Sequence, residues 1–382
     1  HTDSSAASDV YKRQGSSFSG ALAVTTVTLT DTADAASVTF NGNATITTLN
    51  TAGQAYNVIF NGASNTITNA VTFSNTGFVT LGNGSSDSIT FTAGVTATAP
   101  SSVNVAGSVK ASNTATITLG DSGTGISVTA SATIGDTSTG NITLGGDATL
   151  ADGVTLTLGR TGTTNTINTE DIVGTASGSV SNLTISTNST TTINGNIGTD
   201  FGAIDLKGTA TTFIGTVTSN GVHLRTTATF KNNLTISDDT YHIKLYDNAT
   251  MVVATASSAA AITINARVQA ENANGGSELQ ITNTGANTFS GSKIKNVHTI
   301  NVDQDTLFNT EITSDVAIID VAASKTADFR KDVAATNINA HNNATLIFSQ
   351  TDVHTVSSAI NNSDSGTVTA VSYTHLRAHE TS

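Results

Sequence analysis

Apolar and polar residues alternate along most of this chain, in short runs that end at glycine or asparagine. Residues Val38–Gly42 read Val-Thr-Phe-Asn-Gly, Val58–Gly62 read Val-Ile-Phe-Asn-Gly, and Val79–Gly84 read Val-Thr-Leu-Gly-Asn-Gly. The third residue of each run is a Phe, a Phe and a Leu, recurring after 20 and then 21 residues. Short strands that recur near this period are typical of coils stacked on one another, so the pattern predicts a solenoid.

The same alternation continues beyond these runs, for example in Thr116–Leu119, Val154–Leu158 and Leu234–Ile236. A period of two places Leu, Ile, Val or Phe on one face of a strand and Thr or Ser on the other. Gly, Asn and Asp lie between the runs, and these residues tolerate positive φ in tight turns. The sequence therefore predicts many short strands joined by tight turns.

Two all-β architectures can use such strands. A sandwich requires Greek-key pairing and large inward aromatic residues, but the chain has no Trp and its inward residues are small. A parallel β-helix needs only a narrow core of stacked small apolar side chains, and its aligned Asn and Thr residues can form ladders. We therefore predict an all-β chain that forms a parallel β-helix, or β-solenoid, with roughly 20 residues per coil.

Both ends of the chain look like translated sequencing-adaptor DNA. The adaptor strand GATGTGTATAAGAGACAG encodes Asp9–Gln14 codon by codon, and its reverse complement encodes Val371–His375 in another frame. We expect residues 1–14 and 370–382 to be adaptor-derived and residues 15–369 to be the solenoid, a slice of a longer array. Charged residues become commoner beyond residue 200, which predicts a change of coil type near that point.

Charge is sparse and acidic, with a formal net charge of −13 at pH 7. Between residues 15 and 200 the only basic residues are Lys110 and Arg160. An acidic surface without a basic stripe argues against nucleic acid and against anionic membranes as partners. The chain has no cysteine, so inter-coil hydrogen bonds must replace disulfides. The lack of cysteine is also compatible with export as an unfolded chain.

Three further segments carry a family resemblance: Thr192–Gly198, Asn343–Ile347 and Asn361–Val368. Their style of Asn, Thr, Gly and aliphatic residues resembles the passenger regions of bacterial autotransporters, most closely the rickettsial-type surface antigens. The resemblance implies a bacterial cell-surface location outside the outer membrane and a role in adhesion or in a surface coat. It also implies attachment to the membrane only through a C-terminal barrel that this fragment lacks.

Two short motifs suggest chemistry. Gly120–Gly123 reads Gly-Asp-Ser-Gly, the nucleophile motif of chymotrypsin-like proteases, but no histidine lies between residue 15 and Ser122, and a near copy begins at Gly135. Gly145–Asp147 matches part of a calcium-binding β-roll repeat, which requires successive copies. A repeated turn explains both motifs, so we predict no catalytic, cofactor-binding or metal-binding residues.

The densest cluster of polar and aromatic residues is Asp238–Asp247. Alternation predicts Tyr241, Ile243 and Leu245 on one face of a strand and His242, Lys244 and Tyr246 on the other. Tyr241, His242, Lys244 and Tyr246 are the candidate surface-contact residues, for a glycan or for a host-cell or matrix protein. The alternative interpretation is a solvated face without a ligand. The other histidines, His223, His298, His341 and His354, lack the spacing of metal ligands.

The leading hypothesis is a non-enzymatic fragment of an exported surface protein that serves as a stalk or adhesin passenger and needs no cofactor. One alternative is a carbohydrate-active β-helix enzyme, in which Asp238, Asp239, His242 and Lys244 would meet other ionisable groups in a groove. A second alternative is an S-layer-type coat protein. Because a cut solenoid exposes open strand edges, the fragment is also expected to self-associate.

Overall fold

The computed structural model describes residues 15–159, 165–186, 188–198, 200–236, 240–256, 258–349, 355–362, 364 and 369–373. Within these residues the chain forms strands and turns and contains no helix. The chain divides into two compact units, residues 1–209 and residues 210–382. The first unit contains the strands β1 to β22, and the second contains β23 to β43.

In the first unit the strands are, in chain order, β1 (Ser16–Phe18), β2 (Leu22–Leu29), β3 (Ser37–Phe40), β4 (Ala44–Thr51), β5 (Asn57–Phe60), β6 (Ser64–Ile67), β7 (Val71–Thr72), β8 (Val79–Leu81), β9 (Ser88–Phe91), β10 (Val95–Ala97), β11 (Ser102–Ala111), β12 (Ile117–Leu119), β13 (Gly125–Gly135), β14 (Ile142–Leu144), β15 (Ala148–Leu150), β16 (Thr155–Gly159), β17 (Asn165–Thr169), β18 (Ile172–Gly174), β19 (Ser181–Ile185), β20 (Ser189–Ile193), β21 (Ile197–Gly198) and β22 (Phe201–Leu206).

In the second unit they are β23 (Ala210–Phe213), β24 (Val217–Ser219), β25 (Gly221–Leu224), β26 (Thr227–Phe230), β27 (Leu234–Ile236), β28 (Ile243–Leu245), β29 (Thr250–Val253), β30 (Ile262–Asn265), β31 (Val268–Ala270), β32 (Glu278–Ile281), β33 (Asn287–Phe289), β34 (Lys293–Lys295), β35 (Thr299–Val302), β36 (Thr306–Phe308), β37 (Glu311–Ile312), β38 (Ile318–Val321), β39 (Thr326–Phe329), β40 (Asn337–Ala340), β41 (Thr345–Ser349), β42 (Ala359–Asn362) and β43 (Thr369–Tyr373).

Within each unit the strands pair in parallel with the strands one turn before and one turn after. Each turn passes through up to three faces, which we call the first, second and third face in chain order; β8, β9 and β10 make one such turn, and β33, β34 and β35 make another. Together the described turns number about 15, with roughly 22 residues each. The prediction of a parallel β-solenoid is confirmed, because hairpin-built sandwiches require antiparallel neighbours.

The recurrence that opened the sequence is a true register. Phe40 lies opposite Phe60, and Phe60 lies opposite Leu81, in the parallel ladder of the first face. The Phe40 and Phe60 rings stack with centroids 4.7 Å apart, and both side chains are fully buried. This spacing matches the separation of adjacent strands, so like residues meet at every turn.

A longer column of stacked rings fills the second unit. Phe289, Phe308, Phe329 and Phe348 follow one another on its first face, with successive centroids 5.5, 5.2 and 5.5 Å apart. Stacked burial of large aromatic side chains supplies much of the core stabilisation in such a narrow interior.

Glycine in the repeated Asn-Gly runs has a reason different from the predicted positive φ. Gly42 and Gly62 do not adopt positive φ. A Cβ at Gly62 would instead meet the backbone carbonyl of Gly42, and a Cβ at Gly42 would meet that of Gly20. Glycine is needed there because successive turns approach closely.

Positive φ occurs at asparagine in the two similar segments of the second unit. Asn248 has φ 60° and Asn343 has φ 59°, and each turn leads into a strand. The two strands occupy different faces, since β29 lies on the third face and β41 on the first. The same local sequence therefore specifies a turn and a strand but not the face on which the strand lies.

Candidate functional site

The predicted contact cluster lies on the second face of the second unit. Ile243 and Leu245 of β28 are fully buried, while Lys244 between them points outward, as alternation predicts. Tyr241 departs from the prediction: its side chain is 53 % exposed and does not share the buried face of Ile243 and Leu245. Its backbone forms a bend before β28 begins, so strand alternation does not reach it.

Tyr246 is the centre of the cluster. The guanidinium of Arg225 lies 4.0 Å from the centroid of its ring, and the Lys244 ammonium lies 4.4 Å from it. The imidazole of His223 meets the same ring edge-on, with centroids 6.4 Å apart. Two cations on one aromatic ring are held by the ring quadrupole, which reduces the repulsion between them.

Lys244 also forms an ion pair across one turn. Its Nζ lies 3.1 Å from Oε1 of Glu271. This hydrogen bond is the main reason that the pKa of Lys244 is raised above its ordinary value. Lys244 therefore stays fully charged at neutral pH.

His242 lies beside these cations and is half-buried. Burial, followed by the positive charge of Arg267, lowers the pKa of His242, and His223 and Lys244 add smaller contributions in the same direction. Its Nδ1 has no hydrogen-bond partner in the described structure. His242 is therefore neutral at pH 7 and would gain a proton most readily if an anion approached.

The register of the second face extends this cluster over four turns. His223, Lys244, Gln269 and Lys295 lie opposite one another in successive strands, and they form one outward column. A parallel outward column, two residues earlier in each strand, contains His242, Arg267 and Lys293. We call this surface the basic stripe; its members are His223, Arg225, His242, Lys244, Arg267, Lys293 and Lys295.

Acidic residues border the basic stripe. Glu311 follows Lys293 in the next turn, with a distance of 3.8 Å between Nζ of Lys293 and Oε2 of Glu311. Nζ of Lys295 lies 3.9 Å from Oδ2 of Asp315. These exposed pairs hold the lysines only weakly, because surface ion pairs contribute about 0–1 kcal/mol.

The sequence analysis missed five of the seven members and expected no basic stripe, which is wrong for this face. The signal is present in the spacing: Lys244 follows His223 by 21 residues, and Arg267 and Lys293 follow His242 by 25 and then 51 residues. Because the turns differ in length, these positions align only once the register is known. The expectation that nucleic acid is not a partner stays a prediction.

The two motifs with suggested chemistry are turns. In Gly120–Gly123, the carboxylate of Asp121 accepts the backbone N–H of Gly123 at 2.8 Å, and Gly120 has φ 71°. Gly145 and Gly146 stack directly above this turn, where a Cβ on Gly146 would meet the Thr124 carbonyl. The turn interpretation of both motifs is confirmed.

A second charged group lies near the C-terminal end of the second unit. His341 bridges two turns: its Nδ1 lies 2.9 Å from Oδ2 of Asp364, and its Nε2 lies 3.2 Å from Oδ2 of Asp320. The hydrogen bond to Asp364 is the main reason that the pKa of His341 is raised. The same contact lowers the pKa of Asp364.

The remaining predicted chemistry is distributed as follows. His298 contacts the hydroxyl of Thr299 at 2.9 Å. Asp238, Asp239 and His354 lie outside the described residues. Among the residues whose placement is described, no group of three or more His, Cys, Asp or Glu side chains is arranged to hold a metal ion. The basic stripe can attract and orient anions, and its contacts are those of a binding surface.

No family model matches the chain, and no curated protein and no solved structure matches it either. In the described part of the chain, no helix has the length and apolar character needed to cross a membrane.

Proposed function

We propose that this chain is a piece of an exported bacterial cell-surface protein, in which the β-solenoid serves as a non-enzymatic stalk or adhesin passenger. The observation that carries the proposal is the neutral, hydrogen-bonding surface of the stacked turns. On the third face of the first unit, the outward column reads Thr72, Thr96, Thr118, Thr143, Asn168 and Thr192.

Such columns suit a scaffold that must remain folded in a variable medium. Asparagine side chains link turns directly, as between Asn61 Nδ2 and Asn41 Oδ1 at 3.0 Å. Buried Asn57 donates to the carbonyl of Ala35 at 2.9 Å and accepts the N–H of Phe78 at 3.0 Å, which ties three turns together. Turn-to-turn bonds of this kind give a repeat protein its stability without disulfides.

The resemblance to autotransporter passengers supplies the cellular setting of the proposal. A β-solenoid is compatible with that setting, and the Thr and Asn columns give it the polar faces that a surface stalk requires.

Recovery of the complete gene tests this proposal directly. We expect the reading frame that contains residues 15–369 to begin with an export signal and to end in an outer-membrane translocation domain. A reading frame without an export signal would overturn the proposal. A cell-wall anchoring module in place of the translocation domain would favour an S-layer-type coat, and a catalytic module would favour a carbohydrate-active enzyme.

A further inference from the structure

We propose that the basic stripe binds a linear sulfated polysaccharide along the axis on which the turns stack. This inference goes beyond the stalk function and does not depend on it, since it rests on side chains of the second unit alone. It concerns an interaction surface and the chemistry of the partner that fits it.

The first argument is the spacing of the cations. Adjacent turns of a parallel sheet are about 4.8 Å apart, so the four strands β25, β28, β31 and β34 span about 14 Å. Over that length the stripe presents Arg225, Lys244, Arg267, Lys293 and Lys295 on one face. A row of cations at regular short intervals is complementary to a chain that carries anionic groups at regular short intervals.

The second argument is the width of the stripe. The turn after Lys293 presents Glu311, and the following turn presents Asp332 at the same outward position. A flat anionic membrane would bring its charge onto these carboxylates as well as onto the stripe. A narrow polyanion can follow the cations and avoid the acidic turns, so the arrangement favours a single chain over a surface.

The third argument concerns the anionic group. Three stripe cations already face carboxylates of this protein, namely Lys244 with Glu271, Lys293 with Glu311 and Lys295 with Asp315. A ligand must compete with these partners. A polysaccharide with several sulfate groups per repeat presents more negative charge per length than one with single carboxylates, and the exposed pairs that it displaces are weak.

The aromatic residues separate this partner from single-stranded nucleic acid. Sequence-independent nucleic-acid sites offer rows of aromatic faces on which bases stack. At the stripe, the ring of Tyr246 is engaged by Arg225 and Lys244. Tyr241 is the exposed ring beside it, and one ring does not make a stacking row.

The histidines add a pH dependence with a defined direction. The pKa of His242 is lowered by burial and by the cations Arg267, His223 and Lys244 that surround it. A bound polyanion reverses the sign of that local field and raises the pKa, so binding is coupled to proton uptake. Affinity is therefore expected to rise as the pH falls below the ordinary histidine pKa of about 6.5.

Binding of the whole chain to size-defined heparin, used as the sulfated probe, tests the proposal. We expect saturable binding that weakens as salt is added. In the double variant Lys293→Gln and Lys295→Gln, affinity should fall roughly tenfold or more, and the salt dependence of log Kd should decrease by about two counterions. The matched control is Lys231→Gln with Lys331→Gln, which removes the same charge outside the stripe and should change affinity by less than about twofold.

Circular dichroism of each variant establishes that the solenoid is still folded, since all four lysines lie at outward positions. The proposal is overturned if heparin does not bind at low salt, or if the stripe and control variants weaken binding equally. It is also overturned if single-stranded DNA or phosphatidylserine vesicles bind more tightly than heparin and displace it. None of these outcomes affects the test of export, which reads the gene and not the surface.

Discussion

The two units have the same kind of interior and different exteriors. In both, buried aliphatic and aromatic residues stack turn upon turn, as in the Phe40–Phe60 pair of the first unit and the Phe289–Phe348 column of the second. The outward columns differ: Thr and Asn dominate the third face of the first unit, whereas the second face of the second unit carries the basic stripe.

This difference shows which positions the solenoid constrains. Inward residues must match the residues one turn away in size, because a mismatch leaves a cavity or a clash at a fixed spacing of about 4.8 Å. Outward residues need only hydrogen-bond or remain hydrated. Binding properties can therefore change along the chain while the scaffold stays the same.

The largest expected effect tests whether the two interiors are equivalent. Phe60→Ala in the first unit and Phe308→Ala in the second each remove a fully buried ring, and each should lower the free energy of unfolding by about 3–5 kcal/mol. Urea titrations followed by far-ultraviolet circular dichroism measure the loss. Thr118→Ala on an outward column is the control and should cost less than about 0.5 kcal/mol. A loss in only one unit would break the equivalence.

The next largest effect tests the close approach of turns. A Cβ at Gly42 in the first unit or at Gly291 in the second would meet the backbone of the preceding turn. Gly42→Ala and Gly291→Ala should each destabilise by about 1–3 kcal/mol, since backbone cannot move aside without disturbing the ladder.

Gly198→Ala is the matched control for these glycines, because a Cβ there has no atom within 4 Å. It should leave the urea midpoint nearly unchanged. Equal effects at all three glycines would show that lost backbone freedom, and not packing between turns, explains the glycine requirement.

The smallest effect sharpens the contrast in charge. The pKa of His341 is raised mainly by Asp364 and that of Asp364 is lowered by His341, so their contact stabilises the folded state between the ordinary pKa values of 3.8 and 6.5. The contribution is present below pH 6.5 and is lost as the pH rises through the elevated pKa of His341. His242, whose pKa is lowered, acts in the opposite sense and costs stability as the pH falls below 6.5.

Thermal unfolding of the wild type and of His341→Gln at pH 6 and pH 9 measures this contribution. The variant should be slightly less stable at pH 6 and equal to the wild type at pH 9. Residues 15–209 contain no histidine, so the first unit should respond little over this range. A larger response in the first unit would contradict the assignment of the titration to His341.

The sequence was sufficient for the fold class and for part of the register. The Phe40, Phe60 and Leu81 alignment follows from period two within strands and a period near 20 between them, and the structure confirms it. Those two periods depend only on local alternation and turn residues.

The basic stripe could not be predicted because the period varies. On the second face, successive aligned positions from Val222 to Ile312 are separated by 21, 25, 26 and 18 residues. An error of one residue moves a side chain from the outward face to the core, so columns cannot be traced through turns of unequal length. For Tyr241 the failure was local, since alternation was extended past the start of β28.

The central claim is that register brings residues far apart in sequence into one outward column. It is tested most directly by spin labels at Lys244→Cys and Lys295→Cys, which the absence of native cysteine makes unambiguous. These positions are 51 residues apart in sequence but two turns apart in the column, about 10 Å. Electron paramagnetic resonance should show strong dipolar broadening for this pair and weaker broadening for Lys244→Cys with Asn301→Cys, which lies on the third face. Broadening no stronger for the 244–295 pair than for this control would contradict the claim.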